Sequence, residues 1–208
     1  MKLIVRDLTV DRSGRPVLAA LSLSVEANEP LILRGANGAG KTTLLRTIAG
    51  FLEPTAGEIR LDGGDPELTV PEQCHYVGHA NAIKTSLTAS ENLAFWARYL
   101  GAPSAGLDEA VDTALERFGI ATLADIRAGF FSAGQKRRLA LARLLVARRA
   151  IWLLDEPSVS LDAASTAVLA GVVRNHVEQG GLVIAATHIE LGLDGARTLV
   201  LQPQLEAA

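Results

Sequence analysis

The sequence predicts an α/β protein in which a mostly parallel sheet carries an inserted helical subdomain. Two observations predict this fold class. In the last third of the chain, short apolar runs alternate with a helical stretch, and that alternation is typical of parallel sheets. The middle of the chain, at residues 83–149, has helical periodicity almost throughout. A length of 208 residues suits one domain with a subdomain.

The first third contains five short runs of β-forming residues, and glycine or proline residues separate them. We predict strands at residues 3–10, 21–25, 31–33, 58–61 and 75–77. Residues 42–49, soon after the third run, are predicted to form a helix. These runs supply the first part of the sheet.

The middle of the chain begins with a helix start. Thr88 and Glu91 fit a capping box, in which a hydroxyl and a carboxylate satisfy the first orphan amides of a helix. We expect this helix to reach residue 100. Apolar residues then recur at helical spacing over 107–118, and a third helix is predicted over 134–148.

The last third returns to strands. We predict strands at 151–154, 182–187 and 198–201, and a helix at 162–177 that ends before two glycines. The first two of these strands are apolar at nearly every position, which indicates strands buried on both faces.

Composition excludes several classes of protein. Apolar residues make up 49% of the chain and charged residues 21%, which is globular usage. The net charge of −3 argues against nucleic acid as a partner. A single cysteine, Cys74, excludes a disulfide scaffold and a cysteine-based zinc site. No signal peptide or run of about 20 apolar residues is present, so we expect an intracellular protein whose membrane spans, if needed, come from another chain.

Residues 35–43 match the P-loop pattern, in which glycines let successive backbone N–H groups point at phosphate oxygens. A buried strand precedes the pattern and a helix follows it, as the motif requires. We expect the Lys41 ammonium to reach the β- and γ-phosphates of a nucleotide and the Thr42 hydroxyl to ligate Mg²⁺. The predicted nucleotide-binding residues of this loop are Gly35, Ala36, Asn37, Gly38, Ala39, Gly40, Lys41, Thr42 and Thr43.

Two carboxylates end the strand predicted at 151–154. Asp155 lies where a P-loop enzyme needs an acid for Mg²⁺, which it would hold through water. Glu156 points differently, being one residue further on, and is the candidate general base for an attacking water. His188 follows the strand at 182–187, at the end where parallel sheets bind ligands. We expect it to contact the γ-phosphate and to position Glu156.

A second helix start has the composition of an anion site: Ser132, Ala133, Gly134 and Gln135. One γ-phosphate needs only one P-loop, so this second site would serve a nucleotide held by another copy of the chain. The alternative is an ordinary helix cap.

Together these motifs resemble the ATP-binding subunits of ABC transporters, over about residues 3–201. The order matches: the P-loop, the signature-like 132–135, the strand with its acids at 151–156, the D-loop-like 160–162 and the switch histidine. The resemblance implies a P-loop ABC ATPase fold with a mixed sheet and N-terminal antiparallel strands. It also implies a single domain over 1–208, with a core at 1–82 and 150–201, a helical signature subdomain at 83–149 and a tail at 202–208.

The resemblance further implies a mechanism. Two chains sandwich two ATP molecules, and the P-loop of one chain faces Ser132, Ala133 and Gly134 of the other. Lys41, Glu156 and His188 would be the catalytic residues. Mg²⁺ would be held by Thr42 and, through water, by Asp155.

Two segments, 76–96 and 131–144, are similar to the cytochrome c maturation subfamily, whose members are ATP-binding subunits of a haem exporter complex in the bacterial inner membrane. This implies a peripheral protein on the cytoplasmic face, with transmembrane permease subunits as partners and a haem chaperone as an indirect one. ATP would power haem export or the release of the loaded chaperone.

The chain departs from the wider family in three ways. Ala133 stands where the signature usually has its first glycine, and Phe131 stands where it usually has its leading leucine. His79 replaces the usual glutamine, and with residues 83–99 it is the expected coupling position toward a transmembrane subunit. The alternative is that His79 only fills space. No aromatic residue precedes Phe51, so the ring that normally stacks on adenine is absent, and Arg12 or a neighbour is the expected replacement.

Four other functions share part of this pattern: another ABC exporter, a soluble ABC ATPase of the iron–sulfur assembly type, a P-loop small-molecule kinase and an inactive nucleotide sensor. The kinase gives no reason for the signature or for His188, and intact Lys41 and Glu156 argue against the sensor. Six of the nine aromatic residues lie between positions 95 and 131. We expect them to form a small core, with a partner-docking surface as the alternative.

Overall fold

A computed structural model of the chain describes residues 1–12, 14–188, 193 and 195–203. The chain divides into two compact units. The core unit comprises Met1–Gly78, Ala150–Pro157 and Val173–Ala208, and the helical unit comprises His79–Arg149 and Ser158–Val172. The assignment of the whole chain to one domain stays a prediction. The predicted tail, 202–208, lies outside the described residues after Pro203.

The described elements fall in the predicted order. The strands are β1 Lys2–Arg12, β2 Arg15–Glu26, β3 Leu31–Arg34, β4 Ala56–Asp62, β5 Cys74–Val77, β6 Ile151–Asp155, β7 Leu182–Ala186 and β8 Arg197–Val200. The helices are α1 Lys41–Ile48, α2 Ala89–Tyr99, α3 Leu107–Arg117, α4 Ala133–Ala142 and α5 Ala163–Glu178.

In the core unit, β2, β1 and β4 form an antiparallel sheet in that order, as expected. Leu3 and Val5 of β1 are buried, and so is Leu8, three residues further on. Strict alternation would expose Leu8. The pairing register shifts between Val5 and Leu8, and Asp7 there has φ of 48°. This irregularity returns the apolar side chains to the buried face.

The second sheet has the order β5-β6-β7-β3-β8 and is parallel at every described pairing. Every residue of β6 and β7 is buried, as expected for central strands of a parallel sheet. The predicted α/β fold class is therefore confirmed. The carboxyl ends of β6, β7 and β3 lie side by side, and neighbouring strands are about 5 Å apart.

The helical unit contains α2, α3 and α4. Thr88 and Glu91 form the predicted capping box at the start of α2. The prediction that the third helix continues to residue 148 is wrong, because α4 ends at Ala142 and tightens into a 3₁₀ turn over Arg143–Leu145. Apolar residues continue through this turn, so periodicity alone does not mark the end of the helix.

The aromatic residues of the helical unit divide into two groups. Phe118 and Phe131 are buried, as a core role requires. Phe95, Tyr99 and Phe130 are 36%, 71% and 82% exposed, so the expectation that the rings fill a core is wrong for these three. Within the part of the chain that the structure describes, no helix is both long and apolar enough to cross a membrane.

Candidate nucleotide site

The P-loop connects β3 to α1 in the core unit. The strand is anchored by the buried Leu31 and Leu33. The helix begins after Gly40, whose φ of 93° is left-handed, and the Leu44 N–H donates to the Gly40 carbonyl at 2.8 Å. A Cβ on Gly40 would lie 2.7 Å from Cδ2 of Leu18. Glycine is therefore required at this position by both backbone conformation and space.

Gly35 at the other end of the loop is required for a similar reason. Its φ is 135°, and a Cβ there would collide with the carbonyl oxygen of Leu201 in the loop that follows β8. The loop is held close to its neighbours at both ends. Between them, Ala36, Asn37 and Gly38 are exposed.

The Lys41 side chain contacts the backbone at the start of this loop. Its Nζ donates to the carbonyl of Gly35 at 2.7 Å and to that of Ala36 at 3.1 Å. No acidic residue occupies the first turn of α1, so no side chain of that turn neutralises the positive end of the helix dipole. An ammonium group and a helix N-terminus would therefore act together on an anion placed in the loop. Thr42, the next residue, is exposed.

The two predicted carboxylates stand at the end of β6. Asp155 is 5% exposed, and one of its oxygens accepts from the Tyr76 hydroxyl at 3.4 Å. Glu156 donates its backbone N–H to the Ala186 carbonyl at 2.7 Å, yet has φ of 47°. A positive φ is uncommon for a residue with a side chain and is typical of functional sites. Glu156 therefore leaves the extended conformation of β6 at this position.

His188 reaches Glu156. The His188 Nε2 atom lies 3.3 Å from Oε1 of Glu156. The His188 side chain is 57% exposed and that of Glu156 is 24% exposed. The strand order places β7, which leads to His188, between β6 and β3. The P-loop, the acids and the histidine thus gather at one edge of the sheet.

The donors at this edge suit a hard divalent cation. Thr42 supplies a hydroxyl and Asp155 a carboxylate, and Mg²⁺ typically binds one or two carboxylates, water and phosphate oxygens of a substrate. Among the described residues, no three His, Cys, Asp or Glu side chains cluster closely enough to hold a metal ion. One hydroxyl and one carboxylate fit an ion whose remaining ligands are water and nucleotide oxygens.

The signature-like motif begins α4 in the helical unit. The Ser132 hydroxyl accepts from the Gln135 N–H at 3.2 Å, and the Gln135 side chain accepts from the Ser132 N–H at 2.8 Å. This capping box uses the serine oxygen only as an acceptor, so its O–H is a donor for an incoming oxygen. Ser132 and Ala133 are exposed, and a Cβ on Gly134 would lie 3.0 Å from the Ser160 carbonyl.

Asp162 fixes the start of α5 after the D-loop-like segment. Its Oδ1 accepts from the Ser165 N–H at 2.7 Å. This hydrogen bond from the backbone, followed by one from the Ser165 hydroxyl, lowers the pKa of the Asp162 carboxyl. Ser160 beside it has φ of 67°.

Sequence reasoning missed a hydrogen-bond centre in the helical unit. Asn92 is 1% exposed. Its Oδ1 accepts from the Lys84 N–H at 2.8 Å, and its Nδ2 donates to the carbonyls of Lys84, Leu87 and Thr88. A polar residue on the buried stripe of an amphipathic helix is the signal that would have found it. His79, the first residue of this unit, is exposed.

Comparison with known proteins gives consistent matches. A family profile described as "ABC transporter" matches residues 18–159. A protein of Bradyrhizobium diazoefficiens, named cytochrome c biogenesis ATP-binding export protein CcmA, is 50% identical over 194 residues, which is 93% of this chain and 95% of that one. The protein of the same name from Ruegeria pomeroyi is 51% identical over 194 residues, covering 93% and 88% of the two chains.

Two solved structures share the fold. One, described as the ATP binding subunit of an ABC transporter, has a TM-score of 0.86 at 23% identity and covers 99% of this chain and 89% of its own. A putative ABC transporter ATP-binding protein from Pyrococcus furiosus has a TM-score of 0.80 at 27% identity, with 96% and 98% covered.

Proposed function

The chain belongs to the ABC transporter family, in the group of cytochrome c biogenesis ATP-binding export proteins, and from that membership we propose how its residues bind and hydrolyse ATP for a membrane complex. The observation that carries the proposal is the 3.3 Å contact between His188 and Glu156 at the sheet edge that also bears the P-loop. A base and its partner beside a phosphate loop are what hydrolysis of a nucleoside triphosphate requires.

Binding uses the P-loop. Backbone N–H groups of residues 35–43 and the N-terminus of α1 hold the phosphates, and the Lys41 ammonium moves from the loop carbonyls to the β- and γ-phosphate oxygens. Thr42 and Asp155 would hold Mg²⁺, the aspartate through water. When bound, this ion offsets charge on the phosphate oxygens.

Hydrolysis uses Glu156. The oxygen of a water attacks the γ-phosphorus as the bond to the β–γ bridging oxygen breaks, and the Glu156 carboxylate accepts the proton of the water. His188 orients that carboxylate by donating from Nε2 across the 3.3 Å contact, and with both ring nitrogens protonated it would donate from Nδ1 to a γ-phosphate oxygen. Phosphate and ADP leave, and the base returns its proton to solvent.

A second copy of the chain completes each site. The Ser132 hydroxyl and the first N–H groups of α4 form an exposed anion-binding end in the helical unit. We propose that this end, with Ala133, Gly134 and Gln135, closes on the ATP held by the P-loop of the other copy. A closed two-fold arrangement gives two equivalent sites. The differential affinity of ATP for the closed pair drives closure, and hydrolysis reverses it.

We propose that the membrane subunit docks on the helical unit. A groove of about 780 Å³ there has an apolar lining that includes the exposed rings of Phe95 and Tyr99. Three acidic side chains, those of Glu91, Asp108 and Asp112, and one basic side chain, that of Arg98, also line it, so the acids are in excess. These features suit an apolar segment with basic ends, such as a cytoplasmic loop of a transmembrane permease subunit.

Hydrogen bonds connect that surface to the signature. Asn92 clamps the segment from Lys84 to Thr88. From that segment, the Thr85 carbonyl accepts from the Gly129 N–H at 2.9 Å, three residues before Ser132. A displacement of the docking segment would therefore reach the start of α4 through backbone bonds.

His79 lies close in sequence to a second connection. The Arg137 side chain of α4 donates to Oδ1 of Asn81 at 3.1 Å, which ties the segment after His79 to the signature helix. We propose His79 and residues 83–99 as the coupling region, on the cytoplasmic face of the inner membrane. The work performed there would be haem export or release of a haem-loaded chaperone.

Co-purification tests this function. The tagged chain is isolated from a detergent extract of its host membranes, and the accompanying chains are identified by mass spectrometry. We expect integral membrane subunits of a cytochrome c biogenesis system, and ATP turnover by the isolated complex. Recovery of soluble partners alone would favour the iron–sulfur assembly type and contradict the membrane role.

A further inference from the structure

The aromatic ring of Phe130, two residues before Ser132, is almost fully exposed to solvent. It is 82% exposed, whereas the next residue, Phe131, is 5% exposed. Exposed aromatic rings of this kind leave a large apolar area in water and are typical of binding sites. The ring is therefore accessible to a binding partner.

The backbone beneath this ring is held in place. Ala128 and Gly129 donate their N–H groups to the carbonyls of Leu87 and Thr85, each at 2.9 Å, and the Phe130 N–H donates to the Arg127 carbonyl at 3.0 Å. A Cβ on Gly129 would lie 3.0 Å from the Thr85 carbonyl oxygen, so the two segments are in close contact. Phe130 therefore lies on a turn whose backbone is fixed by hydrogen bonds.

The P-loop side offers no comparable ring. The core unit contains only three aromatic residues, Phe51, Tyr76 and Trp152. Trp152 is 4% exposed, and Tyr76 is half-buried against Asp155. Phe51 follows the C-terminus of α1, about 12 Å along the helix from the phosphate-binding end. Within this unit, no exposed ring lies beside the phosphate-binding end of the loop.

We propose that Phe130 of each copy stacks on the adenine of the ATP bound to the P-loop of the other copy. The inference rests on the proposed function, because it requires two copies to close on the nucleotide. Ser132 would meet the phosphates, and the Cα of Phe130 lies at most about 7 Å away along the chain. The ring extends further, toward the base at the other end of the nucleotide. Every base has a π-face, so stacking gives affinity with little base selectivity.

Steady-state kinetics of the complex give the first test. Phe130→Ala should raise KM for ATP about 5- to 150-fold, the range expected when a base loses an aromatic partner, with kcat much less affected. Phe130→Tyr and Phe130→Trp should keep a KM near that of the wild type. Inorganic tripolyphosphate lacks a base, so its binding should be the same in the wild type and Phe130→Ala.

Ile126→Ala is the matched control. Ile126 is 45% exposed on the same approach to α4 but has no π-face, and we expect its KM to be unchanged. An unchanged KM in Phe130→Ala would overturn the proposal. A raised KM in Arg12→Ala, with none in Phe130→Ala, would also overturn it, because the base would then stack within one copy. Absence of wild-type ATP turnover would instead contradict the proposed function.

Mixed pairs test which copy supplies the ring. One copy carries Lys41→Ala, so that only the P-loop of its partner binds ATP. Adding Phe130→Ala to the Lys41→Ala copy should weaken ATP binding by the same 5- to 150-fold. Adding it to the other copy should leave binding unchanged. The reverse pattern would show that the ring acts on its own copy's nucleotide and would overturn the proposal.

Discussion

The Nε2 atom of His188 lies 3.3 Å from Oε1 of Glu156, at the sheet edge that also carries the P-loop. The two residues follow the carboxyl ends of neighbouring strands, β7 and β6, whose pairing register brings Asp155 opposite Ala186. The left-handed φ of 47° at Glu156 turns its side chain from the direction that a continuing strand would give it. The contact therefore depends on both strand order and one strained residue.

Glu156→Gln should strongly slow ATP turnover, because the amide cannot accept a proton from the attacking water. We expect kcat to fall by at least a hundredfold, within the 10²–10⁴ range of general-base catalysis. Phosphate release measures it. Nucleotide binding should persist, since the amide keeps the shape of the side chain. Turnover near the wild-type rate would show that another group is the base.

His188→Ala should also lower kcat, by about a hundredfold, because the general base loses its orienting partner. The double variant Glu156→Gln/His188→Ala separates a shared role from two independent ones. Residues that act as a unit have non-additive effects, so the double variant should be little slower than Glu156→Gln alone. Fully additive losses would mean that the 3.3 Å contact has no catalytic role.

His79→Ala should uncouple the complex. We expect ATP hydrolysis to continue while cytochrome c assembly in cells is lost, because the segment after His79 is tied to α4 through Asn81 and Arg137. His79→Gln, which restores the residue more usual in the wider family, should retain assembly. Normal assembly in His79→Ala would remove His79 from the coupling region.

Asn92→Ala should destabilise the protein. The change removes the four hydrogen bonds that the Asn92 side chain makes with backbone groups of Lys84, Leu87 and Thr88. We expect a loss of about 2–4 kcal/mol in the free energy of unfolding, measured with urea. Asn175→Ala is the control, because Asn175 is exposed and surface changes usually cost under about 0.5 kcal/mol. Equal losses in the two variants would contradict the role of Asn92.

Asp162 should contribute to acid stability. Its pKa is lowered in the folded protein by the Ser165 backbone N–H, then by the Ser165 hydroxyl. A lowered pKa means that the stabilisation is present above the ordinary value of 3.8 and is lost as the pH falls through the folded value. Asp162→Asn should therefore be less stable than the wild type at neutral pH, and the difference should shrink in acid. A constant difference from pH 7 to pH 2 would contradict this.

Local sequence signals predicted the phosphate-binding elements well. The P-loop needs a strand, glycines at fixed positions and a helix start, and all of these are encoded within residues 31–48. The capping boxes at Thr88 and Ser132 are equally local. Such motifs are satisfied by their own segment, so the rest of the fold has little influence on them.

Features that depend on distant neighbours could not be predicted. The sequence shows that Phe130 and Phe131 are both apolar, but only the surrounding packing leaves one exposed and covers the other. The irregularity at Asp7 and the end of α4 at Ala142 likewise depend on pairing and packing partners. The Asn92 centre joins a helix to the segment before it through side-chain bonds that periodicity does not reveal.

The central claim is that ATP is held between two copies of this chain, and the mass of the ATP-bound protein tests it most directly. Light scattering of the Glu156→Gln variant with ATP and Mg²⁺ should give twice the mass of one chain. Adding Ser132→Arg to this variant blocks the signature motif, so the measured mass should fall to that of one chain. A single-chain mass for Glu156→Gln at saturating ATP, both alone and when its membrane subunits are supplied, would contradict the account.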